Sequence, residues 1–204
     1  MIDLSNYSTI SNAQISGFHI DSKLVAIHGI MADSNYNLKG VLSAPLNNSQ
    51  GNVTMSNDWT GYTGYINIDD EIMYVSSASS NTLNVSRGQF GTVAISHSSN
   101  TNVYSIHVFD NVLSYNWEQT IGVNDRDLFS IEIDSGRIVL DDLSKNWNKL
   151  YSNKIYDFYR NKEVFIFEGC NNQIVKVWEG LTKDINNSAE NNEITIEVAG
   201  YFNK

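Results

Sequence analysis

Short apolar runs with a period of two dominate this chain. Phe129, Ile131 and Ile133 alternate with Ser130, Glu132 and Asp134, the pattern of a half-buried strand. The run from Leu24 to Ile30 predicts a strand bounded by polar turns. Gly64 to Ile68 and Glu71 to Val75 flank Asp69-Asp70, which predicts a hairpin with an acidic turn. Ser76 to Asn81 reads as a second turn, followed by strands at Thr82 to Ser86 and Asn102 to Ile106. Further strands are expected at Gly136 to Leu140, Ile174 to Trp178 and Ile194 to Val198. Val164-Phe165-Ile166-Phe167 is continuously apolar, as in a strand buried on both faces. One segment breaks the pattern. Between Asp142 and Lys162, Leu143, Trp147, Leu150, Tyr151, Ile155 and Phe158 recur near 3.6 residues, so it reads as one short helix or a long loop with a helical turn.

Composition agrees with an all-β reading. Ile, Val, Thr and the aromatics supply 69 of 204 residues, against 24 from Ala, Leu and Met. Branched and aromatic side chains suit a pleated sheet, and the abundant Asn and Ser favour turns. The expected fold is therefore mainly antiparallel, with a barrel-like domain from residues 1–44 and 108–204. Pro45 and the polar run Asn47 to Gly51 mark a boundary, so residues 45–107 are expected to form a smaller inserted β-module.

Charge and cysteine content narrow the function classes. A net charge of −10 opposes nucleic-acid binding, which needs clustered cations to displace counterions from phosphates. No stretch approaches the roughly 20 apolar residues of a spanning helix, and the first residues lack the pattern of a signal peptide. Cys170 is the single cysteine, so neither a disulfide framework nor a Cys-rich zinc module is expected. It sits beside Glu168, Gly169 and Asn171, a setting without the positive charge that activates a thiolate. His19, His28, His97 and His107 show no i, i+4 zinc spacing, and no Gly-x-Ser-x-Gly elbow or phosphate-cradling glycine loop occurs. Asp69-Asp70-Glu71 is the densest acidic cluster. It lacks the alternating oxygen ligands of a calcium loop and reads as a hairpin turn with solvated charges. Asp125, Asp127, Asp141 and Asp142 are read the same way. No catalytic residue, metal or cofactor is expected. Trp59, Trp117, Trp147, Trp178 and eleven tyrosines suit either sugar stacking or β-cores and subunit interfaces.

The middle stretch resembles a small β-module that recurs in bacteriophage tail and baseplate proteins. The likeness is carried by Gly64-Tyr65-Ile66-Asn67-Ile68-Asp69-Asp70-Glu71-Ile72-Met73-Tyr74-Val75, then Asn81-Thr82-Leu83, Arg87-Gly88, Gly91-Thr92 and His97. In such a module Gly88 and Gly91 would take the positive φ of a tight loop, Arg87 would pair with Glu71, and His97 would cap a loop carbonyl. All five positions are structural in this reading. The C-terminal part is similar to the β-barrel of tail hub and tail-tip proteins at Ser135 to Asp142, Val164 to Gly169 and Trp178-Glu179-Gly180-Leu181. The resemblance implies a hub-like, non-enzymatic subunit of a phage or phage-tail-like (tailocin) baseplate or tail tip. Its partners would be other tail proteins and copies of itself, in a trimer or hexamer, within a particle assembled in the bacterial cytoplasm. The alternatives are a receptor- or carbohydrate-binding tail module and a tail-associated cell-wall hydrolase.

Overall fold

The computed structural model describes residues 22–30, 37–124, 127–141, 161–170, 173–188 and 193–200. They form twelve strands: β1 (Ser22–His28), β2 (Lys39–Val41), β3 (Asn52–Thr54), β4 (Gly64–Ile68), β5 (Glu71–Ser79), β6 (Thr82–Ser86), β7 (Asn102–Phe109), β8 (Val112–Asn124), β9 (Asp127–Asp141), β10 (Glu163–Cys170), β11 (Gln173–Ser188) and β12 (Glu193–Gly200). All belong to one antiparallel sheet with the order β3-β6-β5-β4-β7-β1-β10-β11-β12-β9-β8, and β2 pairs with β7 beside this path. The all-β reading holds. The barrel does not close among the described residues: β3 and β8 end the strand order and do not pair with each other. Closure depends on which edges meet, and an alternating pattern carries no information about that. The segment expected to be helical lies mostly outside the described residues.

β7 joins the two halves of the sheet. One of its edges pairs with β4 at Val103 to Ile106. The other edge is divided: Asn102 to Tyr104 pairs with β2, and Ile106 to Phe109 pairs with β1. Beyond β2, Leu42 makes an antiparallel bridge to Met55, and the Ser43 N–H donates to the Thr54 carbonyl at 2.9 Å. The chain thus covers the Thr54 end of β3 with its own residues.

Packing follows the period of two. In β1, Val25 and Ile27 join Val164 and Ile166 of β10 in one core, while Leu24 and Ala26 join Phe165 and Phe167 in another on the opposite face. Leu24 to Ile27 and Val164 to Phe167 are therefore apolar without interruption, as a segment covered on both sides must be. A third core has its buried residues between 42 and 103, among them Leu42, Met55, Trp59, Ile66, Met73 and Leu83, with Leu38 packed against it. Two hairpin turns explain local polarity. Asp69 opens the β4–β5 turn at φ 50°, and Ser80 serves the β5–β6 turn at φ 53°. Asp tolerates the left-handed region better than most side chains do.

Phe167 is fully buried near the centre of the sheet, between β1 and β11. Phe167→Ala should lower the unfolding free energy by about 3–5 kcal/mol, visible as a lower urea midpoint at unchanged slope.

Candidate functional site

The densest arrangement of charged side chains lies in the middle stretch, where β5 begins. Glu71 pairs with Ile68 across the end of the β4–β5 hairpin, and its side chain is 0% exposed. A carboxylate removed from water needs donors to replace its hydration. Five reach it. Arg87 Nε donates to Oε1 and Arg87 Nη2 to Oε2, each at 2.7 Å, in a bidentate fork. The backbone N–H of Gly88 donates to Oε1 at 3.0 Å, and that of Ile95 to Oε2 at 3.2 Å. His97 Nε2 donates to Oε2 at 3.0 Å.

The donors are held by the loop that follows β6. Arg87 also donates from Nη1 to the Asn47 and Gln50 carbonyls at 2.7 and 3.3 Å, and from Nη2 to the Ile95 carbonyl at 2.6 Å. The His97 backbone exchanges hydrogen bonds with Leu46 in both directions, at 2.8 and 2.9 Å. The clasp therefore ties three separate segments together: residues 46–50, the start of β5, and the loop from Arg87 to His97. Gly88 stands at φ 61°, and a Cβ there would meet the Thr92 carbonyl oxygen at 2.8 Å, so both conformation and space require glycine. Gly91 takes φ 89°.

Electrostatics follows from this geometry. Burial alone would raise the Glu71 pKa, but the bonds from Arg87, His97 and Gly88 override it and hold the carboxyl at about 2. Burial alone would lower the His97 pKa. Its bonds to Asp69, from Nδ1 to Oδ2 at 2.8 Å, and to Glu71 raise it instead. With a carboxylate at each ring nitrogen, His97 is an imidazolium that donates twice. Glu71 thus has no proton to give, and His97 has no free lone pair to accept one.

The structure brings Glu71, Arg87, Gly88 and His97 into direct contact and places Gly91 in the same loop. It corrects two expectations. The acidic turn is solvated at Asp69 and Asp70, each about half exposed, but Glu71 is enclosed because it already lies on the strand beneath the loop. His97 caps no loop carbonyl with its ring; both nitrogens face carboxylates. Three further participants escaped the sequence reading. Asp69 is the second partner of His97. Asn67 donates to the Asp69 and Glu71 carbonyls at 3.0 and 3.2 Å and so shapes the turn. Thr92 Oγ1 accepts from the Ile72 N–H at 3.1 Å and donates to the Gln89 carbonyl at 2.8 Å. For Asn67 a signal existed: it is a polar residue inside the apolar run Tyr65 to Ile68.

Other candidates are dispersed. His28 donates from Nδ1 to the Ser105 carbonyl at 2.7 Å, and burial lowers its pKa, so the ring is neutral. His107 is likewise lowered by burial. Burial raises the pKa of Glu168, with Lys23 opposing the rise from the paired position on β1. Cys170 is buried at the end of β10. Trp59 is a core residue whose Nε1 donates to Asn57 Oδ1 at 3.1 Å, and Trp178 packs against the core around Val25. Trp147, His19, Asp125 and Asp142 lie outside the described residues, as do the side chains of Trp117 and Asp127. Among the described residues no group of three or more His, Cys, Asp or Glu side chains is placed to hold a metal, and no helix is long and apolar enough to cross a membrane. At the surface, Tyr65 lies 5.2 Å from Tyr74 and 4.9 Å from Phe90 between ring centroids, with Tyr74 and Phe90 37% and 40% exposed. Phe90 takes φ 56°, a strained value for an aromatic residue.

No family model and no curated protein matches the chain. Among solved structures, the Bacillus subtilis inhibitor of motility (MotI/DgrA) aligns over 92% of this chain and 90% of its own, at 9% identity and a TM-score of 0.22. A likeness this loose bears on neither fold nor function.

Removing one partner of the clasp leaves the other charge buried and unpaired. Arg87→Ala should therefore destabilise the protein by about 3–5 kcal/mol in denaturant titration, well beyond the ~0–1 of an exposed pair. The clasp also sets a pH profile. Glu71 has a folded pKa below its ordinary 4.5, so its contribution is full above that value and fades as pH falls toward about 2. His97 has a folded pKa above its ordinary 6.5, so its contribution is full below 6.5 and fades as pH rises through the folded value. Stability should therefore decline on both sides of a plateau between 4.5 and 6.5, and His97→Gln should flatten the alkaline limb.

Proposed function

We propose that the chain is a structural subunit of the baseplate or tail tip of a phage or phage-tail-like particle, built into a ring with copies of itself and other tail proteins. The ordered run from Gly64 to His97 carries this reading. It resembles a tail module, and its Asp69, Glu71, Arg87 and His97 side chains are engaged with one another rather than facing a ligand. A residue set that binds a substrate keeps donors or acceptors open to it. Here the guanidinium, the imidazolium and the inner carboxylate are consumed in holding the loop. The net charge of −10 suits a ring wall along which DNA slides without sticking. On this reading the chain has no catalytic task and needs no cofactor.

One observation favours a receptor- or carbohydrate-binding tail module instead: Tyr74 on β5 and Phe90 on a strained turn are exposed, with the partly buried Tyr65 ring between them. Aromatic faces stack on sugar rings.

Electron cryomicroscopy of particles from the producing cell separates the two. The ring reading expects the chain in three or six copies around the tail axis, with its acidic residues toward the channel. A single peripheral copy with sugar on Tyr74 and Phe90 would replace it with the binding reading. Turnover of peptidoglycan that disappears in Asp69→Asn or Asp70→Asn would defeat both.

A further inference from the structure

We infer that the outer edge of β8 is an assembly edge, and that its occupant is β9 of a second copy of this chain, added as an antiparallel strand. The inference names the contact that closes the proposed ring and rests on that reading for its setting.

The two ends of the sheet are treated differently. β3 is only three residues long, and residues 41–43 cover its Thr54 end through the Leu42–Met55 bridge and the Ser43-to-Thr54 hydrogen bond. β8 is thirteen residues long; its start packs toward β1, where Lys23 Nζ lies 5.2 Å from the Tyr115 ring centroid, and among the described residues no strand pairs with its outer edge. Natural sheets protect bare edges with Lys, Pro or brevity. The β8 sequence, Val-Leu-Ser-Tyr-Asn-Trp-Glu-Gln-Thr-Ile-Gly-Val-Asn, has none of these and a single charged residue, Glu118. Its bulges near Val112, Glu118 and Gly122 are the one protective device present, and they leave Gln119 to Gly122 regular against Ser130 to Ile133.

β9 offers the complementary edge. β12 pairs with it only from Gly136 to Asp141. Beyond Gly136 the β8–β9 hairpin continues as a two-stranded ribbon to Asn124 and Asp127, bare on both sides among the described residues. A two-stranded ribbon is marginal in water by itself, so this arm calls for a third strand.

The choice of occupant follows from register. Pairing β8 with β8 about its midpoint would set Glu118 opposite Glu118, and like charges directly opposite are unfavourable. Pairing β8 with β9 of the next copy repeats a match that the two sequences already make within one chain, including Ile121 opposite Ile131. Each copy then gives one edge and receives one. Such a heterologous contact propagates from copy to copy, giving a ring where the rotation between copies closes and an open filament where it does not, and the up-and-down order of strands continues from copy to copy.

Amide hydrogen exchange on the full chain, read with sedimentation over a concentration series, tests this. Amides of residues 117–135 should exchange at least about tenfold more slowly once the chain associates. Two variants should remain folded and monomeric: one with residues 118–133 replaced by Asn-Gly, and Gln119→Lys/Ile121→Lys. Protection already complete in the monomer would mean that the chain covers the arm with its own residues, and would overturn the inference. So would a chain that stays monomeric throughout, or variants that associate like the parent. The tail reading fails separately. If the arm drives association but the chain is absent from particles, the contact stands and the tail assignment falls. If shortened-arm chains enter particles normally, the reverse holds.

Discussion

A carboxylate without water is the constraint around which the middle of this protein is arranged. Glu71 sits at the start of β5 with no exposure, and such a charge is tolerable only where donors are fixed around it. Meeting that demand determines the path of the following loop. Arg87 must enter with its fork toward β5, which turns the chain at Gly88 into a conformation and a space that admit no side chain. Ile95 must return its N–H, and His97 must lie between Glu71 and Asp69. The remaining guanidinium hydrogens then fix residues 47 and 50, so one buried charge orders three segments distant in sequence.

This order has a functional consequence. Glu71, Arg87 and His97 face inward and are mutually neutralised, which leaves only Asp69 and Asp70 of the acidic turn to solvent. What the described residues leave for partners is backbone and surface: the long edge of β8, the open part of β9, and the aromatic group around Phe90. β7 links these regions, because one of its edges pairs with β4 and the other with β1. The clasped half and the arm-bearing half thus belong to one sheet.

Much of this was legible in the residues. Alternation located most of the strands but not β2, β3 or β8, which carry no run that the period singled out, and the unbroken apolar run at Val164 to Phe167 marked a strand covered on both faces. The link between Glu71 and Arg87 was readable because the resemblance placed an acid and a base in one module. Other features were not. That Glu71 is enclosed while Asp69 and Asp70 are wet depends on which residue of an acidic triplet ends the turn, a difference of one position that no composition reveals. The two carboxylate partners of His97 depend on a loop fold-back across more than twenty residues. The open sheet, the divided edge of β7 and the bare ribbon of β8 and β9 are products of non-local pairing, which the period of a strand does not encode.

A double-mutant cycle between Glu71 and Arg87 tests the central claim most directly. Unfolding free energies of the parent, Glu71→Gln, Arg87→Gln and the double variant at pH 6 give the coupling between the two side chains. The account predicts a favourable coupling toward the upper end of the roughly 0.5–3 kcal/mol seen for residues in one network, with the double variant little worse than either single one. A coupling near zero would show that the two charges act independently and that the loop is held by something other than the clasp.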